Sequence, residues 1–197
     1  MRTRAHRGRI ASLVVASVLA WLVAACSGAA APATFDAAAA CTADQRVAGA
    51  YPDLEARIPR SLFGAGPTQL DSGRNCTSTN LGTLAGHGIS EVHFAGGRWD
   101  RSGTSGVTLA VFSAPTLSAE WMGEWYEASA RASSKTAGLR PSRPTIGGRQ
   151  AYRLDLLSSD APQSVICWPS ADGRVVQVVI AAGVLESDIE AGIAAFG

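Results

Sequence analysis

Lysine is nearly missing from this 197-residue chain: Lys135 stands alone against 16 arginines. Histidine is scarce as well, limited to His6, His87 and His93. No two cysteines are two residues apart and no two histidines share helical spacing, which excludes the common zinc-binding patterns. Gly103-Thr104-Ser105-Gly106 is not a nucleophile elbow, because glycine does not flank the serine at both second positions. Gly96-Gly97 and Gly147-Gly148 lack the following lysine and serine or threonine, so no phosphate-cradling loop is present. No apolar run reaches the ~20 residues of a membrane-spanning helix. A large charge of one sign is also missing, since the formal net charge is +1. That balance gives no support for nucleic-acid binding.

What is present begins at the N-terminus. Arg2, Arg4, Arg7 and Arg9 form a basic start, and residues 10–23 form a nearly unbroken apolar run. Val23-Ala24-Ala25-Cys26 closes the segment with small residues before a cysteine. This is the layout of a secretory signal peptide, and the last four residues resemble a bacterial lipobox. The resemblance implies cleavage before Cys26, diacylation of its thiol and anchoring in membrane lipid on the extracytoplasmic face. Two or more acyl chains hold where one does not. Removing residues 1–25 takes away four of the 17 basic residues and none of the 16 acidic ones, leaving a formal charge of −3.

With Cys26 acylated, Cys41, Cys76 and Cys167 remain. An oxidising compartment favours one disulfide, in one of three pairings. Cys76 with Cys167 is the expected pair, because both lie inside the expected domain and Cys41 lies near the tether.

Residues 26–48 read as a lipidated N-terminus and an Ala-rich flexible tether. Residues 49–197 suit a single domain with a real core. Pro52, Asp53 and Glu55 predict a short helix over 52–58. Residues 59–75 are rich in Pro, Gly and Ser and read as a loop with at most one short strand. Thr77 predicts a capped helix to about residue 85. Alternation predicts strands over 89–94 and 106–112, with 95–106 a glycine-rich turn. A long helix is predicted over 115–133, with Leu117, Trp121 and Trp125 inward and Glu120, Glu124 and Glu127 on the other side. Pro141 and Pro144 mark a bend, and Gly147-Gly148 a tight hairpin turn. Strands follow over 150–157, 164–168 and 174–181, the last two joined through Asp172-Gly173. The last strand is apolar on both faces, as a central strand should be. Ser187 and Glu190 have capping-box spacing ahead of a final helix carrying Ile189, Ile193 and Phe196. The class is α+β, an antiparallel sheet flanked by helices.

The lipobox, the hairpin of residues 89–112 followed by a Trp-bearing helix, and the run Ile146-Gly147-Gly148-Arg149-Gln150-Ala151-Tyr152 together resemble actinobacterial cell-envelope lipoproteins with a PsbP-like α-β-α sandwich. The resemblance covers roughly residues 50–197 and implies a binding or scaffolding role without a reaction. It carries over no active-site residue.

Candidate sites are few. His87, between two glycines, reads as a polar loop residue, and His93 as a strand residue. The aromatic set is the positive feature: Trp99, Trp121, Trp125, Tyr126 and Trp168. Trp121 and Trp125 sit one turn apart on a helix with Met122 beside them, either as a core seam or as a contact for an apolar envelope ligand or an envelope protein. The expectation is a non-catalytic binding or scaffolding module without metal or cofactor. The competing readings are an accessory cell-envelope hydrolase and a purely structural lipoprotein.

Overall fold

A computed structural model describes residues 35–134, 136–158 and 161–197. The expected signal peptide, Cys26 and the first part of the expected tether lie outside the described residues. Among these residues, no helix is long and apolar enough to cross a membrane.

The elements run in the order strand Gln45–Val47 (β1), helix Pro52–Glu55 (α1), strand Gln69–Asn75 (β2), and single helical turns Ser78–Leu81 (α2) and Thr83–Gly86 (α3). Strands Val92–Asp100 (β3) and Gly106–Ser113 (β4) precede the long helix Ala119–Ala132 (α4). Then come Thr136–Ser142 (β5), a small hairpin of Thr145–Ile146 (β6) and Arg149–Gln150 (β7), and Tyr152–Ser158 (β8). Pro162–Pro169 (β9), Val176–Ala182 (β10) and helix Glu186–Ala194 (α5) complete the chain. Eight strands form one antiparallel sheet in the order β1-β2-β3-β4-β10-β9-β8-β5.

The period-two alternation of the central strands builds two cores. Val176 and Val178 of β10 join Phe112, Met122, Tyr152, Leu154 and Cys167 on the α4 face. Val179 and Ala181 join Leu109, Ile166, Trp168 and Ile189 on the α5 face. A strand buried on both faces reads as continuously apolar, and β10 sits between β4 and β9 as that pattern requires. Helices cover both faces, so the class is α+β with an antiparallel sheet between helical layers, as expected.

The folded unit reaches back to Phe35, into the segment read as tether. β1 pairs with β2, and the Phe35 ring packs edge-on against Tyr51 at 5.2 Å. A three-residue edge strand leaves too little alternation for its pattern to be read. Two other strands also escaped the pattern. β3 runs on through Gly96 and Gly97 rather than turning there. A Cβ on Gly97 would lie 2.8 Å from Ile58 and 3.0 Å from the Trp99 ring, so packing, not turning, demands glycine. β5 contains Pro141, tolerated because this is an edge strand with one partner.

The expected Cys76–Cys167 bridge is wrong. Cys41 and Cys76 are bonded, and Cys167 is a free, buried thiol. Cys76 follows β2, while Cys167 lies in β9, four strand steps across the sheet. At ~4.8 Å per step that is about 19 Å, against a disulfide limit near 7 Å.

The helix starts also shifted. Ser118 Oγ accepts the Trp121 amide at 3.2 Å, so α4 begins four residues after Pro115. Asp188 Oδ2 accepts the Leu185 amide at 3.3 Å, and α5 begins at Glu186, ahead of the expected Ser187 cap. The turns of Gly147-Gly148 and Asp172-Gly173 are where the sequence places them, with left-handed φ of 55° and 74° at the first pair and 66° at Gly173.

Candidate groove on the half-covered sheet face

α4 packs over β5, β8, β9 and β10. The other half of that face, formed by β2, β3 and β4, receives no long helix. A groove of about 650 Å³ results, open to solvent between α4 and the sheet. That volume lies inside the ~300–1,000 Å³ of small-molecule sites.

Alternation along β3, β4 and β10 sends Phe94, Gly96 and Arg98, then Thr108, Ala110 and Phe112, then Ile180 toward the groove. Gly96 and Ala110 keep the floor low: a Cβ on Gly96 would sit 3.8 Å from the Ala110 Cβ, in ordinary contact, so space alone does not forbid it. Trp125 and Tyr126 supply the α4 wall, their rings edge-on at 4.8 Å. Phe112 bridges floor and wall, 6.1 Å from Phe94 and 6.4 Å from Trp125. Trp125 is pinned by its indole N–H, which donates to the Asn80 carbonyl at 3.0 Å.

The rim is polar. Arg46 lies over the Phe94 ring at 5.7 Å and donates to Asp71 at 2.7 Å. Gln69 also donates to Asp71, at 2.6 Å. Arg98 pairs with Asp100 at 2.6 Å. At one end Asp44 accepts the Cys76 amide at 2.6 Å, the Thr77 amide at 3.0 Å and the Asn80 amide group at 2.7 Å, together with the Thr77 hydroxyl. Burial pushes the Asp44 carboxyl up, yet these donors, the Thr77 hydroxyl foremost, carry it below its usual range. The Cys41–Cys76 bond ties this end to the segment before β1. Burial also pushes the Tyr126 phenol well above its usual range, with the Cys167 thiol beside it adding to the shift.

The three contact residues expected from sequence separate. Trp125 borders the groove. Met122, next to Trp121 in sequence, is fully buried in the core and is not a surface contact. Trp121 stacks on His87 at 4.3 Å and is not part of the groove lining. Trp99 and Trp168 belong to the α5-face core. The groove residues that sequence reading passed over are Phe94, Gly96, Phe112 and the asparagines at its end. A glycine at a period-two position between Phe94 and Arg98 was the available sign, since strand glycines mark close approach of another group.

Each described histidine has a carboxylate partner: His87 with Glu124 at 2.9 Å and His93 with Glu91 at 2.9 Å. His93 also stacks on Tyr51 at 4.4 Å. Neither hydrogen-bonds a serine among the described residues. No cluster of three metal-ligating side chains occurs among the described residues either. Compared with protein families, with curated proteins and with solved structures, the chain matches none.

Proposed function

We propose that this chain is an extracytoplasmic lipoprotein, held in the cell membrane through acylated Cys26, whose domain is a non-catalytic binding module of the cell envelope. The observation that carries the reading is the groove: an open site with an aromatic wall and a polar rim, on a sheet face that a helix covers only in half. Large concave sites with apolar linings and a few placed polar groups are the usual geometry of ligand binding. The Val23-Ala24-Ala25-Cys26 box supports the anchor. The Cys41–Cys76 disulfide suits an oxidising compartment. Helical layers on both faces of the sheet are compatible with a PsbP-like domain.

Trp125 supplies the test, because among the described residues it is the one tryptophan lining the groove. The full-length protein in detergent is titrated with fractionated envelope extract while tryptophan emission and aqueous quenching are followed. A fraction should protect or shift the emission of the wild type and leave Trp125→Phe unchanged. If every fraction affects the two proteins alike, the groove is not the binding site. Cys26→Ala should abolish palmitate labelling and release the protein from the membrane; a labelled, retained variant would remove the anchor from the proposal.

A further inference from the structure

We infer that the groove takes a neutral carbohydrate, a short oligosaccharide. This rests on the groove being a binding site and names the chemistry of its occupant.

Hydrogen-bonding capacity left unused at the groove points this way. The Asn75 side-chain amide and the Thr108 hydroxyl both line the groove, and neither bonds another described residue. Asn80 spends an N–H on Asp44, and Gln69 spends one on Asp71, which leaves the amide oxygen of each as an acceptor. Both donors and acceptors are therefore left free at the groove. A sugar hydroxyl is both donor and acceptor and can answer either kind. An acyl chain would desolvate the same amides without replacing their partners, which is unfavourable.

The charges at the rim are already matched. Arg46 faces Asp71 and Arg98 faces Asp100. The Asp44 carboxylate is occupied by backbone amides, a hydroxyl and an amide side chain. Among the described residues, neither a phosphate nor a cationic ligand finds an unpaired counter-charge there. A neutral ligand needs none. The floor and wall complete the fit: the apolar C–H face of a sugar ring packs on aromatic rings, which Phe94, Phe112 and Trp125 provide. Between them the floor carries only the small residues Gly96 and Ala110.

The test uses the full-length protein in a detergent without a sugar headgroup. Maltotriose, triacetylchitotriose, mannotriose and palmitate are titrated separately, with tryptophan emission and saturation-transfer NMR as readouts. At least one trisaccharide should bind saturably. Asn75→Ala and the near-isosteric Thr108→Val should each weaken it by about three- to tenfold, and Arg149→Ala, on the remote small hairpin, should not. Circular dichroism melting checks that each variant is folded. Palmitate binding without any trisaccharide would overturn the carbohydrate assignment and leave the groove as an apolar site. Trisaccharide binding that is indifferent to Asn75→Ala, Thr108→Val and Trp125→Phe would place the sugar elsewhere and overturn it too. Binding of no probe, together with an inert envelope extract, would remove both the assignment and the binding function.

Discussion

Replacing Gly123 by alanine tests how α4 is held on the sheet. Alanine is the better helix former, by roughly 1 kcal/mol in a helix interior. Propensity therefore predicts stabilisation. Packing predicts the reverse. A Cβ at position 123 would fall 2.1 Å from Tyr152 Cγ and 2.4 Å from both Cδ atoms, where carbon atoms in contact keep about 3.5–4.0 Å. The obstruction is the root of a ring, and Tyr152 is only 1 % exposed. The tyrosine has no freedom to swing aside: Arg143 covers its ring at 4.1 Å and its hydroxyl donates to Glu127. α4 must lift from the sheet instead. Overpacking of this kind costs about 1–3 kcal/mol. With the clash at the ring root, the upper end applies, and the net expectation is a loss of about 2 kcal/mol after the propensity gain. In urea this lowers the unfolding midpoint by ~1 M. In a Tyr152→Ala background the obstruction is gone, and the same substitution should stabilise by about 1 kcal/mol. An unchanged or raised midpoint in the wild-type background, or equal effects in both backgrounds, would refute the packing argument.

Three further expectations concern the cysteines and the carboxylates. Replacing Cys41 and Cys76 together by alanine opens a loop of 35 residues in sequence separation and should cost about 4 kcal/mol, read as a lowered denaturation midpoint without reductant. Cys167 is fully buried and its thiol is pushed well up by burial, so it should resist alkylation in the native protein and react once unfolded; rapid native labelling would contradict the assigned pairing. Stability should fall in acid. Glu127 is held below its usual range by the Tyr152 hydroxyl and then Arg131, Glu186 by Arg153, and Asp172 by Arg57 and then Ser170. A carboxyl with a lowered folded pKa binds fewer protons folded than unfolded, so its contribution is complete above the unfolded value near ~4 and disappears as pH falls through the folded value. A flat carboxylate contribution down to about pH 5, then a progressive decline below it, is expected by denaturation at each pH, and Glu127→Gln should shrink the decline.

The legible parts of this chain were those whose cause lies within a few neighbouring residues. Apolar residues on both faces of the run 175–180, broken only by Gln177, identified a central strand, because both its faces are covered. Gly147-Gly148 and Asp172-Gly173 identified turns, because glycine takes left-handed backbone angles without strain. The helical spacing of Trp121 and Trp125 identified α4. Glycine misled where its purpose was to make room for a distant group, as at Gly97 beneath Ile58. Proline misled at Pro141, where an edge position removes its usual penalty.

Local backbone sterics and side-chain periodicity thus wrote the α+β class, the central strand and the tight turns into the amino-acid order. The pairing of Cys76 with Cys41, the division of the tryptophans between core and groove, and the groove's existence came from strand order. That order brings β1 beside β2, carries β9 four strands away from Cys76, and leaves the β2–β4 half of one face without a long helix. Which strands become neighbours across a sheet depends on contacts between residues far apart in the chain, and no window of neighbouring residues contains that information.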